Sequence, residues 1–439
     1  MPAPLYRIET TPALPVAADV VVIGAGIVGV CTAYYLARRG VRVALLEKGW
    51  VGGEQSSRNW GWCRQQNRDA RELPISTSSL ALWDRLGADI GEDLGFSRCG
   101  LFYLSNDETE LETWAKWGRF AKGAGVTTHM LTSEQATHRG AATGQRWKGG
   151  VFSPTDGIAD PACAAPVIAR GVMASGGTVH QACAARGLEL TAGCVSAVVT
   201  EHGIIRTSSV VLAGGAWASS FLNQLGIRFP QAATRSSILS VAPGARDIPD
   251  ALHTQAVSVT RRGDGGYTLA ISGGARLDPT PQQLRFARQF VPMFLRRWRS
   301  LRPGGLQALR SGHETLRRWR LDAPTPMEAM RVLDPTPDAA QIRTTHERAV
   351  ALLPGLAGIP IQARWAGYID STPDGVPAIG GVLPGLVLAA GFSGHGFGIG
   401  PGAGHLIADL VTGAPPIVDP AAYAPERLAG GVWGKVAEF

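Results

Sequence analysis

Apolar, β-branched residues run unbroken through Val20, Val21, Val22 and Ile23 and stop at Gly24. This is the pattern of a strand buried on both faces, as in a parallel sheet. After Gly24-Ala25-Gly26-Ile27-Val28-Gly29, apolar positions recur at Val30, Ala33, Tyr34 and Ala37, which is helical spacing. Arg38-Arg39-Gly40 then supplies a basic last turn and a stop. A second apolar run, residues 41–46, ends at Glu47, 18 residues beyond Gly29. Strand, glycine turn, helix, strand and acid in this register predict a dinucleotide site. Gly24 permits the tight turn, Gly26 lets a pyrophosphate approach, and Gly29 allows close helix packing. The helix N-terminus faces phosphates, and Glu47 accepts ribose hydroxyls. An acid at 47 also argues against a 2′-phosphate.

Later segments extend the pattern. Alternation in Tyr267-Thr268-Leu269-Ala270-Ile271 predicts a strand of a half-buried sheet. A helix is expected from about Pro401 to Thr412, ended by Gly413. Residues 284–302 are basic and partly amphipathic, interrupted by Pro292. We read them as a solvated helix face, with a membrane surface, a quinone-side partner or another subunit as the alternative.

Composition narrows the class. The 439 residues, 45% apolar and 18% charged, suit a two-domain globular chain. No stretch reads as a bilayer span or a secretory signal, so a cytoplasmic protein is expected, with attachment at the inner membrane face left open. The six cysteines lack a CxxC pair, and the nine histidines lack zinc spacing, so no metal is expected. The net charge of +7 comes with 37 arginines and five lysines, spread without any nucleic-acid-binding signature. No nucleic acid partner is expected.

After Glu47 and Lys48 the chain does not continue as a simple helix. The run Ser56-Ser57-Arg58-Asn59-Trp60-Gly61-Trp62 resembles the second flavin-contact segment of the D-amino acid oxidase/glycine oxidase/sarcosine oxidase superfamily of FAD-dependent amine oxidoreductases. Two further segments agree. Residues 209–217, ending Gly214-Gly215-Ala216-Trp217, resemble that family's returning strand. Residues 364–380, with Gly367, Tyr368 and Thr372-Pro373-Asp374-Gly375, resemble its ring-facing segment and lead to Gly394-His395-Gly396-Phe397-Gly398.

The resemblance implies an α/β fold: a Rossmann-like, glutathione-reductase-like FAD-binding domain with an antiparallel-sheet substrate domain inserted. The first would comprise residues 1–75, 150–220 and 355–439, and the second 76–149 and 221–354. FAD contacts are expected from Gly24, Gly26, Ile27, Val28, Gly29, Glu47, Lys48, Ser56, Ser57, Arg58, Asn59, Gly61 and Trp62. Ala185 at the adenine, Gly214, Gly215, Trp217, Gly367 and the 394–398 loop complete the set. Sarcosine oxidases attach flavin through a cysteine near Gly367. Here no cysteine follows Cys194, so FAD is expected to be non-covalent.

The activity implied is oxidation of the C–N bond of an amino acid or secondary amine (D-, N-alkyl or cyclic) by hydride transfer to flavin N5. An imine or oxo acid results. The alternatives are a flavoprotein subunit of a heteromeric opine- or hydroxyproline-type dehydrogenase and, from charge alone, an RNA-associated demethylase. Electrons would leave to a quinone, a partner protein or O2. Many relatives carry a carboxylate-clamping arginine where this chain has Tyr368. The substrate-site candidates are therefore Tyr267, Tyr368, His395 and Arg64, with Arg235 and Arg276 behind them. No lysine lies between Lys148 and Lys435, so the oxygen-activating lysine of sarcosine oxidases is missing and a dehydrogenase is favoured.

Overall fold

The computed structural model describes residues 3–310 and 313–429. Strands Val20–Ile23, Val43–Leu46, Thr178–His180, Val210–Leu212 and Leu386–Ala390 form a parallel sheet, and Ala378–Leu383 adds an antiparallel edge. Val21 stands opposite both Ala44 and Val210. Each of the first two strands is buried throughout because both faces are covered. Helices Ile27–Arg38, Ala164–Ala174 and Gly400–Thr412 pack on one side around Val22, Leu45, Leu36 and Ile407. The antiparallel sheet Ala185–Thr191, Cys194–Thr200 and Gly203–Arg206 covers the other, where Val198 and Ile205 meet Val21 and Ala44.

A second, ten-stranded sheet stands beside this unit. It is largely antiparallel but contains two parallel pairs, Leu101–Ser105 with Ala251–His253 and Ala275–Leu277 with Leu301–Pro303. Strands Gly149–Ser153 and Ile361–Ser371 hydrogen-bond into this large sheet, although their sequence places them with the dinucleotide-binding segments. Pairing of Ala232–Val241 with Ile361–Ser371 carries Gly367 and Tyr368 to the junction between the two units. The helix Pro281–Arg297 runs through Pro292 rather than breaking there. Among the described residues no helix is long and apolar enough to cross a membrane.

Candidate active site

One cavity lies at the C-terminal ends of the parallel strands. Its wall begins at the turn after Ile23, where φ of Gly24 is +99° and a Cβ would stand 2.5 Å from the Ala213 carbonyl oxygen. A Cβ on Gly29 would stand 1.9 Å from the Gly24 oxygen, so only glycine lets the helix start there. Gly26, Ile27 and Val28 line the cavity. The Ile27 N–H donates to Ser56 Oγ at 2.8 Å, which ties the second glycine-rich segment to the helix N-terminus. The half-buried Glu47 carboxylate accepts from the Ala25 N–H (2.9 Å) and the Gly49 N–H (2.8 Å), and desolvation pushes its pKa up. Lys48 donates to Glu54 at 2.5 Å and lies 4.5 Å over the Trp217 ring. Ala185, Gly214, Gly215 and Trp217 complete this end. A carboxylate, a helix N-terminus and glycines that admit no side chain suit the ribose and pyrophosphate of FAD.

Toward the large sheet the cavity is lined by Asn59, Trp60, Trp62, Ile238, Gly367 and Tyr368, and by the loop Gly394, His395, Gly396, Phe397 and Gly398. That loop is held from below: the Gly398 carbonyl accepts from Ser79 Oγ (2.8 Å) and Trp83 Nε1 (2.9 Å). Trp62 Nε1 donates to Thr260 Oγ1 at 2.7 Å. The Tyr368 phenol is pushed up to about 12, by burial first and the Asp278 charge second, so it remains a donor. Asp370, also in the wall, accepts from Gln55 (2.6 Å), Gln231 (2.7 Å) and the Gly391 N–H (2.8 Å), joining three segments of chain.

Four ionisable groups converge beside Trp62. Arg64 and Arg68 both line the cavity. Arg64 donates to the Gln66 carbonyl and sits 5.8 Å from the Trp62 ring. Arg68 is 3% exposed, and its Nη1 has no hydrogen-bond partner among the described residues. Burial, then the like charge of Arg64, lowers its pKa to about 10, so it is still a cation at neutral pH. His395 Nδ1 lies 3.0 Å from both oxygens of Glu72, which is 1% exposed. Burial and the Arg68 charge push the imidazole down to about 4. Burial works against the Glu72 carboxylate, but His395, Arg68 and Arg64 hold its pKa below the ordinary value. At neutral pH a neutral His395 therefore donates from Nδ1 to an ionised Glu72.

Several expected residues stand elsewhere. Tyr267 is buried in the core of the large sheet, and its hydroxyl donates to the Ile248 carbonyl at 3.0 Å, not into the cavity. Arg235 pairs with Asp278 (3.1 Å) and Arg276 with Asp338 (2.6 Å). Neither lines the cavity. Ser57 donates to the Glu54 carbonyl, and Gly61 is required because a Cβ would approach the Ala159 oxygen to 2.5 Å. Ser57, Gly61 and Gly29 shape the wall from behind it. The Arg58 guanidinium binds Asp334 (2.5 Å) and the Ala366 carbonyl (2.9 Å), clamping its segment onto the strand with Gly367. Asn59 braces the same turn by accepting from the Gly61 N–H at 2.7 Å. Sequence reasoning missed Arg68, Glu72 and Asp370. The one signal for the first two was a polar run, Arg64 to Glu72, placed directly before the apolar helix Leu73–Ile90.

Comparison with known proteins agrees with this geometry. The family model described as FAD dependent oxidoreductase (DAO) matches residues 19–410. The structure of the L-amino acid deaminase from Proteus myxofaciens in complex with anthranilate is 30% identical, with a TM-score of 0.92 and 97% of each chain covered. The glycine oxidase of Pseudomonas aeruginosa is 28% identical over 92% of this chain and 98% of its own length. Mitochondrial sarcosine dehydrogenase of Mus musculus is 28% identical over 58% of this chain and 29% of its own length. The chain belongs to the DAO family of FAD-dependent oxidoreductases, and it is an enzyme that uses FAD to oxidise CH–NH donors of the amino acid and amine class.

Proposed function

We propose that the substrate is an α-amino acid, primary or N-alkylated, whose carboxylate is held by Arg68 with Arg64 beside it. The observation that carries this reading is the buried, charged Arg68 guanidinium lining the cavity with an unpartnered Nη1. A buried guanidinium N–H without an acceptor is costly, and a carboxylate arriving there supplies the missing acceptor in its strongest form. Glu72 and Asp156 do not compete for it. Glu72 faces His395, and Asp156 accepts the Gln65 and Gln66 N–H groups at 2.7 and 3.1 Å. The Tyr368 hydroxyl is a neutral donor elsewhere in the same wall, near the Asp278 and Arg235 charges. Trp60, Trp62 and Ile238 present apolar surface to the side chain and exclude water.

When bound, FAD supplies the two-electron acceptor for the hydride that leaves the substrate α-carbon. The residues of the chain contribute position: a carboxylate fixed at one point and apolar walls around the rest leave few orientations of the Cα–H bond. Loss of the hydride and the amine proton leaves an imine, which water hydrolyses to the oxo acid and ammonia or an amine. The missing sarcosine-oxidase-type lysine favours an electron acceptor other than O2. Lys48 does not replace it, because Glu54 neutralises it. The test is anaerobic bleaching of the flavin by a panel of D-, L-, N-methyl and cyclic amino acids, set against the amides or decarboxylated amines of the same compounds. Reduction by acids but not by their carboxylate-free counterparts is expected. Equal reduction by both removes the Arg68 anchor.

A further inference from the structure

The helix Pro281–Arg297 has two apolar faces, and only one of them is used. Phe286 and Met293 are buried, and Gln282 and Gln283 donate to the Gln231 and Ala233 carbonyls (2.9 and 2.6 Å), fastening this side to the strand Ala232–Val241. At 100° per residue, Leu284, Val291, Leu295 and Trp298 fall within about 60° of one another, on the side opposite Phe286 and Met293. They are 60%, 47%, 65% and 53% exposed. Leu306 and Leu309, in the 3-10 turn Leu306–Arg310, are exposed as well. Of the fourteen exposed large apolar side chains among the described residues, eight lie between 284 and 316, so the exposure is a patch and not a scatter.

The exposed charge of this stretch has one sign, since the flanking Asp278 and Glu314 are buried. Residues 279–313 contain seven arginines and no aspartate or glutamate. Among the described residues no ion pair involves Arg288, Arg299 or Arg302, and Arg299 lies 5.4 Å from the Trp298 ring. A second copy of the chain is a poor occupant, because it would bring two sets of Arg288, Arg299 and Arg302 together. A helix with aliphatic and tryptophan side chains on its crest and guanidiniums along one flank suits a surface that offers acyl chains and phosphates together.

We propose that this face docks the protein on an anionic phospholipid bilayer, with Leu284, Val291, Leu295 and Trp298 entering the headgroup–acyl boundary and Arg288 and Arg299 on lipid phosphates. The helix lies in the membrane plane and does not cross it. It packs on the strand that pairs with the one carrying Gly367 and Tyr368, so attachment leaves the cavity one strand away from the docked element.

The test is flotation of the flavin-loaded protein with vesicles of phosphatidylcholine alone or with phosphatidylglycerol added. Binding to the anionic vesicles alone is expected, and ~1 M salt should weaken it because the Debye length falls to about 3 Å. Leu295→Asp with Trp298→Asp should lose at least about tenfold in vesicle affinity, by removing the inserted apolar area. Arg288→Glu with Arg299→Glu should lose at least about fivefold per position and abolish the preference for anionic lipid. Flavin absorbance and circular dichroism report whether each variant is folded. All four side chains are exposed, and the arginine pair stands as an independent test if the apolar pair fails to fold. Wild-type protein that floats with neither vesicle overturns the proposal, as do variants that float like wild type. A salt-resistant oligomer that the same substitutions dissociate, without vesicle binding, would make the face a protein contact instead.

Discussion

Replacing Arg68 with methionine separates catalysis from stability, and the structure sets both signs. In the folded protein the Arg68 charge is disfavoured: burial and Arg64 lower its pKa from 12.5 to about 10. A base with a depressed folded pKa costs stability at every pH below that value, on the order of 3 kcal/mol as a ceiling from the size of the shift. Methionine is unbranched, of similar reach, and brings no charge to desolvate. The guanidinium makes few bonds to give up, since Nε donates to the Arg64 carbonyl at a long 3.4 Å and Nη1 donates to nothing among the described residues. The Trp117 indole bond goes to the Arg68 backbone carbonyl and is untouched. Arg68→Met should therefore melt at or above the wild-type temperature. Its substrate carboxylate, by contrast, loses a charge-assisted bond worth about 1.5–3 kcal/mol, or about tenfold to a hundredfold in kcat/KM. The assay is steady-state kcat/KM with a good amino acid substrate, the Kd of a non-reacting carboxylate read from flavin absorbance, and a melting curve. A Kd and kcat/KM equal to wild type would refute the anchor. Loss of activity accompanied by a large drop in melting temperature would show Arg68 to be a structural ion, which is the opposite of this account.

Four further outcomes follow from the geometry. Tyr267→Phe should leave kcat/KM unchanged and lower stability by about 1 kcal/mol, the worth of its buried hydroxyl bond to Ile248, measurable by denaturant titration. Gly29→Ala should leave the protein with little flavin, read as the ratio of flavin to protein absorbance, because its Cβ would sit 1.9 Å from the Gly24 oxygen; full occupancy would mean that the turn can open. Acid precipitation should release intact FAD to the supernatant, since the position beside the ring-facing segment is Gly367; yellow pellets would reveal a covalent link. Substrate-reduced enzyme mixed with air-saturated buffer in a stopped-flow instrument should reoxidise more slowly than it turns over with a dye; reoxidation at the turnover rate would make it an oxidase.

What the chain order alone determined here is whatever depends on neighbours in sequence. An unbroken β-branched run, a glycine turn whose conformation no other residue tolerates, a 3.6-residue apolar period and an acid at the next strand end are all local. The dinucleotide turn at Gly24–Gly29 with Glu47 was therefore readable before any folding was considered. The helix Gly400–Thr412 was readable for the same reason, with Gly413 at φ +68° to stop it. Tyr267 shows where that reading ends. Alternation identified its strand, but the cover on each face of the large sheet decided that all four residues Tyr267–Ala270 are buried and that the hydroxyl meets Ile248. Arg64, Arg68, Glu72 and His395 come from a loop, a helix start and a segment more than 300 residues later. A loop's polar side chains carry no period, and their pKa values depend on burial and on one another. Only the packing of the two units made a neutral histidine, and an arginine whose Nη1 has no partner among the described residues, out of residues that, read in line, look like a solvated turn.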